Sequence, residues 1–167
     1  MALHLIKNKI PCTLSFFGGF SNWQYEHIIK QTAKTLHIEN LISYEGHAGS
    51  IQEAIVNHHV DIAWLISNND FIGYAAMEII ESGIPVLFFN CGNAAYTEVK
   101  EQTGEAIHTF ESLEDFTNFS VDLASDAGKR SVLSARQLEF IHEVHDYTKH
   151  AESLTHFYNK VINKENL

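Results

Sequence analysis

Short apolar runs recur along the first two thirds of the chain, and each is followed by a segment that has apolar residues at helical spacing. Runs such as VLFF are continuously apolar rather than alternating, which is typical of strands covered on both faces in a parallel sheet. Five runs predict strands: CTLSFF (12–17), LISYE (41–45), DIAWLI (61–66), PVLFFN (85–90) and EAIHTF (105–110).

The intervening segments predict helices. SIQEAIVNHH begins at Ser50 with Glu53 three residues later, which is a capping box, and FIGYAAMEIIES ends ahead of Gly83 and Pro85, a common helix stop. Alternation of strands and helices predicts an α/β fold with a Rossmann-like, doubly wound parallel sheet of about five strands. In NWQYEHIIKQTAKTL the expected buried stripe is Tyr25, Ile28, Ile29, Thr32, Ala33 and Leu36.

The last third of the chain predicts successive C-terminal helices. The segments are SLEDFTNFSVDLAS, GKRSVLSARQLEFIHEVHDY and HAESLTHFYNKVI. The chain shows no internal repeat, low-complexity tract or linker, so its 167 residues predict a single domain, 1–167.

Composition narrows the classes of partner. A formal net charge of −10 argues against nucleic acid, since phosphate-backbone binding needs clustered Lys and Arg. No apolar run approaches the ~20 residues of a membrane span. Cys12 and Cys91 form no metal or redox spacing, which predicts reduced thiols in a cytoplasmic protein. A site for anions must therefore depend on backbone amides, a helix N-terminus or a few local cations.

Four loops leave the predicted carboxyl ends of the strands, where open α/β sheets bind their ligands. They are rich in Gly, Ser or Asn, which lets backbone amides approach a ligand closely. Any one of them alone is equally consistent with an ordinary turn. The loops are Gly18–Asn22, Gly46–Ser50, Ser67–Gly73 and Cys91–Ala94.

Two carboxylates, Asp70 and Glu78, bracket the predicted start of a helix near Ile72. Each has an ordinary structural interpretation, because Asp is a preferred N-cap residue and Glu78 suits the solvent side of an amphipathic helix. Gly73, expected in the first helical turn, costs ~1 kcal/mol relative to Ala, and a close backbone contact would explain it. A diphosphate on the first-turn amides, with one carboxylate binding hydroxyls on either side, describes a nucleotide sugar.

The stretch DFIGYAAMEIIESGIPV resembles the donor-binding signature of retaining glycosyltransferases with a GT-B fold, especially family 4. That signature has a Glu, seven residues, a second Glu, a Gly near the helix start and a following Gly-x-Pro-Val. Asp70 replaces the first Glu, Glu78 is the second, and Gly73 and 83–86 are in register. The flanking segments are similar too, so the resemblance covers nearly the whole chain from about Cys12.

The resemblance implies the C-terminal, donor-binding half of an enzyme that transfers a sugar, with retention, from a UDP- or GDP-linked donor to a glycan, lipid or other acceptor. It implies a hexosyltransferase-type reaction, usually without a metal, and no cofactor. Asp70 and Glu78 would be the catalytic-site carboxylates, binding the sugar hydroxyls and the ribose hydroxyls respectively. The backbone amides of Phe71, Ile72 and Gly73 would contact the sugar and diphosphate, and the base would lie against the loop Gly46, His47 and Ala48.

The sequence also departs from the family. Members carry an Arg and a Lys after the domain's first strand, which clamp the diphosphate, and no such strand is found here. LHLIKNKIP is instead similar to the end of the following helix, which makes CTLSFF the second strand. We therefore expect a fragment that lacks this clamp and the N-terminal acceptor-binding domain, and that is inactive alone. Peripheral membrane association of the full protein is compatible with this interpretation.

Two other classes stay open. One is a non-catalytic α/β module that binds a small ligand or a protein through the same edge, and the other is a nucleotide-sugar epimerase, which shares the GT-B fold but fits the motif less well. The 11 histidines do not predict a metal site, because HEVHD has the wrong spacing for the zinc motif His-Glu-x-x-His. His58 and His59 are expected to be a surface pair.

Overall fold

The computed structural model describes residues 7, 9–20, 22–66, 73–89, 106–110, 112–144 and 147–162. All five predicted strands are present, and every ladder between them is parallel. The strands are β1 (Leu14–Phe17), β2 (Ile42–Gly46), β3 (Ala63–Ile66), β4 (Val86–Phe89) and β5 (His108–Phe110).

The predicted helices that fall within the described residues are also present, whereas the helix predicted for NAAYTEVKEQ (93–102) lies outside them. The N-cap half of the predicted capping box is confirmed at Ser50, whose Oγ accepts a hydrogen bond from the Glu53 amide at 3.1 Å. Gly83 follows the third helix with a φ of +80°, as a helix-terminating glycine does. The helices are α1 (Trp23–Thr35), α2 (Ile51–His58), α3 (Tyr74–Glu81), α4 (Leu113–Ser125), α5 (Ala127–Val144) and α6 (Tyr147–Ile162), with a 3-10 turn at Glu39–Leu41.

The strands fall into two sheets rather than one continuous sheet. β1 pairs with β2 in a two-stranded sheet, and the other sheet has the order β3-β4-β5. We call the first sheet with α1 and α2 the two-stranded half, and the second sheet with α3, α4 and α5 the three-stranded half. Apart from an irregularity between Phe16 and Phe17, where Phe17 pairs with Gly46, the ladders keep a regular register.

The three-stranded half holds most of the core, and helices cover both faces of its sheet. On one face, Val86 and Phe88 of β4 pack with Ile80 of α3 and Ile141 of α5. On the other face, the Phe116 ring of α4 contacts three aromatic rings at centroid distances of 5.2 to 5.7 Å, those of Trp64, Phe89 and Phe110. This sheet is therefore doubly wound, as predicted.

A buried side chain from α5 completes the hydrogen bonding of β4. Gln137 is fully buried, and its Oε1 accepts from the Val86 amide at 2.9 Å while its Nε2 donates to the Val86 carbonyl at 2.8 Å. β5 begins opposite Leu87, one residue further along β4. The Gln137 amide thus satisfies backbone groups that lie just beyond the start of β5.

The two-stranded half has a much smaller core. Its fully buried residues are Ala33 and Ile38, which pack with half-buried neighbours such as Leu14 and Ile42. The predicted stripe on α1 is correct for Ile29, Ala33 and Leu36. It is wrong for Tyr25, Ile28 and Thr32, which are exposed. Ala33 and the C-cap residue Leu36 pack in the cluster that holds Leu14 and Ile42 of the sheet.

His58 is not the surface residue that the sequence predicted. It is half-buried at the end of α2, where its ring makes an edge contact with Phe17 at 5.1 Å and its Nδ1 lies 3.8 Å from Glu45 Oε1. His59 is exposed and has a φ of +49°, which ends the helix in the left-handed conformation. Only His59 therefore fits the prediction.

Candidate functional site

The loops that follow β1 and β2 are joined at their first residues. The Gly18 amide donates to the Gly46 carbonyl at 2.6 Å, and the two glycines have φ values of +106° and +68°. Both values lie in the region that residues with a side chain rarely adopt. Two of the four predicted loops are thus held against each other at the carboxyl edge of the two-stranded sheet.

His47 and Ala48, which were predicted to lie against the base of a nucleotide, come directly after Gly46, the last residue of β2. His47 and Ala48 are exposed, and the loop leads to Ser50, the N-cap of α2. A Cβ added at Gly19 would lie 3.3 Å from His47 Nε2, so the imidazole ring lies close to the neighbouring loop. The predicted base-binding segment is therefore accessible and is supported by both loops.

The structure corrects the expected start of α3. The helix begins at Tyr74 and its N-cap is Gly73, whereas the sequence predicted a start near Ile72 with Gly73 in the first turn. Glycine is well tolerated at an N-cap, so the expected helix penalty of Gly73 is absent and gives no argument for a ligand. The N-cap role considered for Asp70 is also wrong, because Gly73 holds that position.

The N-terminus of α3 differs from the N-termini of α1, α2, α4 and α5. Side-chain oxygens of Asn22, Ser50, Ser112 and Asp126 accept hydrogen bonds from the first turns of α1, α2, α4 and α5 respectively. Gly73 has no side chain and makes no such bond. Among the described residues, no side chain accepts from the first amides of α3, which could therefore bind an external acceptor such as an anion.

Glu78 lies on the exposed side of α3, and its carboxylate has no hydrogen-bond partner among the described residues. It is five residues beyond Gly73, which places it about 7.5 Å along the helix axis from the N-cap. A ligand group bound at the helix start could therefore extend hydroxyls to this carboxylate. The exposure of Glu78 is equally consistent with the simpler interpretation, in which Glu78 only faces solvent on an amphipathic helix.

Two aromatic side chains near this edge are exposed and were not among the predicted site residues. Tyr74, the first residue of α3, is 83% exposed, and Trp23, the first residue of α1, is 73% exposed. Both follow the N-cap of a helix whose preceding loop leaves a strand at its carboxyl end. An aromatic residue directly after an N-cap is the sequence signal that could have identified them, since flat rings stack on bases and sugars.

Three predicted site residues, Asp70, Phe71 and Ile72, lie outside the described residues, as does the predicted loop Cys91–Ala94. The described part of the site therefore consists of the joined loops after β1 and β2, the uncapped start of α3, and Glu78.

The described residues contain no cluster of His, Cys, Asp and Glu able to hold a metal ion. His142 instead lies 3.1 Å from Glu81 in an exposed pair that joins α5 to α3. Within the same residues, no helix is long and apolar enough to cross a membrane.

Among the described residues, the titratable groups with shifted pKa values lie away from this edge. Burial raises the pKa of the Cys12 thiol, which lies just ahead of β1 beside the small core of the two-stranded half. A side-chain hydrogen bond to Asp122 raises the pKa of the exposed Lys129 on α5. The candidate site thus depends on backbone amides and an exposed carboxylate rather than on these groups.

Comparison with known proteins gives matches to solved structures. No family model matches the chain, and no curated protein matches it. The C-terminal domain of LpcC, a group 1 glycosyl transferase family protein from Francisella tularensis, aligns with a TM-score of 0.67 and 18% identity over 85% of this chain and 74% of that one.

Two longer proteins align equally well. HepE of Anabaena, solved in complex with UDP, has a TM-score of 0.71 and 18% identity over 92% of this chain and 44% of its own. A sucrose-phosphate synthase from Thermosynechococcus elongatus has a TM-score of 0.71 and 16% identity over 98% of this chain and 42% of its own. The chain therefore spans less than half the length of these two proteins. The predicted fold is confirmed: the chain has the fold of the C-terminal domain of a GT-B glycosyltransferase.

Proposed function

We propose that this chain is the donor-binding domain of a retaining glycosyltransferase and that it binds a nucleotide diphosphate sugar, UDP- or GDP-linked, at the carboxyl edge of its strands. The single observation that carries the proposal is the N-terminus of α3, where no described side chain caps the first backbone amides and Glu78 is exposed nearby. The similarity in fold to HepE, solved with UDP, supports the same assignment.

Each part of the site has a role in this proposal. The amides at the start of α3 bind the diphosphate and stabilise the negative charge that develops on it as the sugar leaves. Glu78 accepts hydrogen bonds from the ribose hydroxyls, and the loop with His47 and Ala48 contacts the base. Asp70, together with the backbone of Phe71 and Ile72, contacts the sugar. No metal or cofactor is required, and the acceptor binds to another part of a longer protein.

A titration of this chain with UDP, GDP and their sugar conjugates, followed by amide chemical shifts, tests the proposal. Shifts are expected at Gly73, Glu78 and the segment Gly46–Ala48 with one of the two nucleotides. Inorganic phosphate alone should shift only the amides at the start of α3. Saturating nucleotide that leaves all three regions unshifted would contradict the proposal.

A substitution at Gly73 separates binding from folding. The residue has a φ of −74°, which any residue adopts, and an added Cβ would meet nothing within 4 Å. Gly73→Asp should therefore cap α3 and stabilise the domain by a few tenths to about 1 kcal/mol. The same carboxylate would occupy the anion site, so nucleotide affinity should fall at least tenfold. Unchanged affinity in this variant would show that the diphosphate binds elsewhere.

Glu78→Gln removes the carboxylate charge without changing the length of the side chain. We expect it to weaken the binding of a nucleotide diphosphate about 10-fold while leaving inorganic phosphate binding unchanged, since a hydrogen bond to a charged group contributes about 1.5–3 kcal/mol. Glu81→Gln is the matched control, because it makes the same change on the same helix and removes only half of an exposed pair with His142. Equal effects of the two variants would reassign Glu78 to a solvent-facing role.

The alternative is a module that binds a protein through this edge. The exposure of Tyr74 and Trp23 is the observation that favours it. Tyr74→Ala should reduce nucleotide affinity if the ring stacks on a ligand, and should leave it unchanged if the ring contacts a protein.

A further inference from the structure

Gly19 is a glycine that its own φ value does not explain. Its neighbour Gly18 and the facing Gly46 have φ values of +106° and +68°, which a residue with a side chain rarely adopts, so both positions favour glycine. Gly19 does not have a positive φ. The absence of a side chain at this position therefore needs another physical reason.

That reason is the close approach of His47. A Cβ added at Gly19 would lie 3.3 Å from Nε2 and 4.0 Å from Cδ2 of His47, and these two adjacent atoms form one edge of the imidazole ring. The shorter distance is below the optimal separation of about 3.5–4.0 Å between non-bonded carbon atoms. A side chain at position 19 would therefore displace either the backbone of its own loop or the ring.

The backbone on both sides of Gly19 is held against β2. The Gly18 amide donates to the carbonyl of Gly46, the last residue of β2, at 2.6 Å. The Phe20 ring packs on the Tyr44 ring of β2, with the centroids 5.8 Å apart. Since the residue before Gly19 and the residue after it are both anchored, the loop cannot easily move away from His47.

The surface that anchors Phe20 is itself well supported. The Tyr44 ring stacks on Phe16 of β1 at a centroid distance of 5.6 Å and an interplanar angle of 10°. Lys30 Nζ of α1 lies over the same ring, 5.1 Å from its centroid. Stacked rings and a cation over a ring face both stabilise such a cluster. Phe20 thus rests on a surface to which two strands and a helix contribute.

On the other side of the contact, the backbone of the His47 loop is also fixed, whereas the His47 side chain is not. Gly46 accepts the hydrogen bond from Gly18, and Ser50, three residues beyond His47, caps α2 by accepting from the Glu53 amide. His47 itself is exposed. The imidazole ring is therefore the part that moves when a group is added at position 19.

We infer that Gly19 is a positioning residue for the base-binding loop. Because Gly19 lacks a side chain, the His47 ring can lie with one edge against the loop after β1, and this contact sets the orientation in which the ring meets the base of a nucleotide. The inference rests on the proposed function, in which the loop with His47 and Ala48 contacts the base. The exposure of His47 leaves the ring accessible for stacking on a base.

Gly19→Ala tests the inference, because it moves the ring without requiring a positive φ. The stability of the domain should be unchanged or slightly higher, since alanine restricts the unfolded chain more than glycine does. The affinity for the nucleotide that the chain binds, UDP or GDP, should fall about threefold or more. The affinity for inorganic phosphate, which the proposed function places at the start of α3, should stay the same. A purely structural role of Gly19 would instead lower stability and leave this difference between the two ligands absent.

A double-mutant cycle shows whether Gly19 acts through His47. His47→Ala should lower nucleotide affinity at least about fivefold, as expected for the loss of an aromatic ring that stacks on a base. In the His47→Ala background, Gly19→Ala should have no further effect, since the ring that it displaces is absent. The same loss in both backgrounds would overturn the inference.

The position of the ring can also be measured without a ligand. The Cδ2–H and Cε1–H signals of His47, identified by their loss in His47→Ala, should shift in Gly19→Ala. Gly49→Ala is the matched control, because it adds the same methyl group to the neighbouring loop, where the Cβ would lie 3.7 Å from Glu53 Oε2 in ordinary contact. The His47 ring signals should keep their positions in this control. Unshifted ring signals in Gly19→Ala would contradict the inference.

The titrations keep this inference and the proposed function apart. If the unmodified chain binds UDP or GDP and Gly19→Ala binds it equally well, the inference alone is wrong. If the unmodified chain binds neither nucleotide, the proposed function is wrong and the inference falls with it.

Discussion

The two halves of this domain are built from the same strand and helix units, yet they differ in how well they are packed. In the three-stranded half, β4 has strands on both sides and helices on both faces, and its first three residues are almost fully buried. In the two-stranded half, no residue of β1 or β2 is fully buried. Apolar sequence alone therefore does not bury a parallel strand, because the strand also needs a neighbour at each edge.

The strongest test of this difference removes the same side chain from each half. Leu87→Ala should lower the free energy of unfolding by about 2–5 kcal/mol, because Leu87 is fully buried in the large core. Leu14→Ala should cost less than half as much, because Leu14 is only half-buried beside the small core. Urea denaturation of both variants measures the two values. Equal losses would show that the halves are equally well packed in solution.

Gln137→Leu tests how far the three-stranded half depends on one buried amide. The substitution leaves the Val86 amide and carbonyl without the Gln137 partner, which should lower the free energy of unfolding by about 2–4 kcal/mol. Gln31→Leu is the control, because Gln31 is exposed on α1, and it should change stability by less than about 0.5 kcal/mol. A loss below this value for Gln137→Leu would mean that water replaces the lost bonds.

The two halves should also unfold at different denaturant concentrations. Trp64 packs against Phe116 and reports on the three-stranded half, provided that the exposed Trp23 is replaced by Phe. Cys12 borders the small core and reports on the two-stranded half when Cys91 is replaced by Ser. Thiol labelling of Cys12 should become fast at a lower urea concentration than the Trp64 fluorescence transition. Coincident transitions would indicate a single cooperative unit.

The smallest expected effect is a pH dependence confined to the two-stranded half. Burial raises the pKa of Cys12, so folding favours the neutral thiol. The stability from this group is complete below the pKa of the unfolded thiol, about 8.5, and is lost as pH rises toward the folded pKa. Between about pH 8 and pH 10, the chain should lose slightly more stability than Cys12→Ala does. Parallel pH curves for the two proteins would exclude this contribution.

Local features of the structure were predictable from the sequence. The five strands follow from short apolar runs, and the Ser50 cap follows from a hydroxyl that is close in sequence to the amide it binds. The position of Gly46 and Glu78 near the carboxyl edge follows from the alternation of strands and helices. These features depend on residues that are only a few positions apart.

Features that depend on distant residues were not predictable. Gln137 binds Val86 across 51 positions, and no periodic pattern identifies such a pair. The exposure of Tyr25 and Ile28 reflects how α1 is oriented on its small sheet rather than its own apolar spacing. The sequence predicted the start of α3 near Ile72, whereas the N-cap is Gly73.

The hydrogen bonds of Gln137 also limit how this fold can vary. A strand can usually be lengthened by insertion at its end, since loops tolerate added residues. Here the side-chain amide of Gln137, on α5, binds the backbone of Val86. The next residue of β4, Leu87, is the first that pairs with β5. An insertion that extended β5 by one residue toward its amino end would compete with that amide. Relatives with a longer β5 should therefore carry a smaller, apolar residue at the position of Gln137.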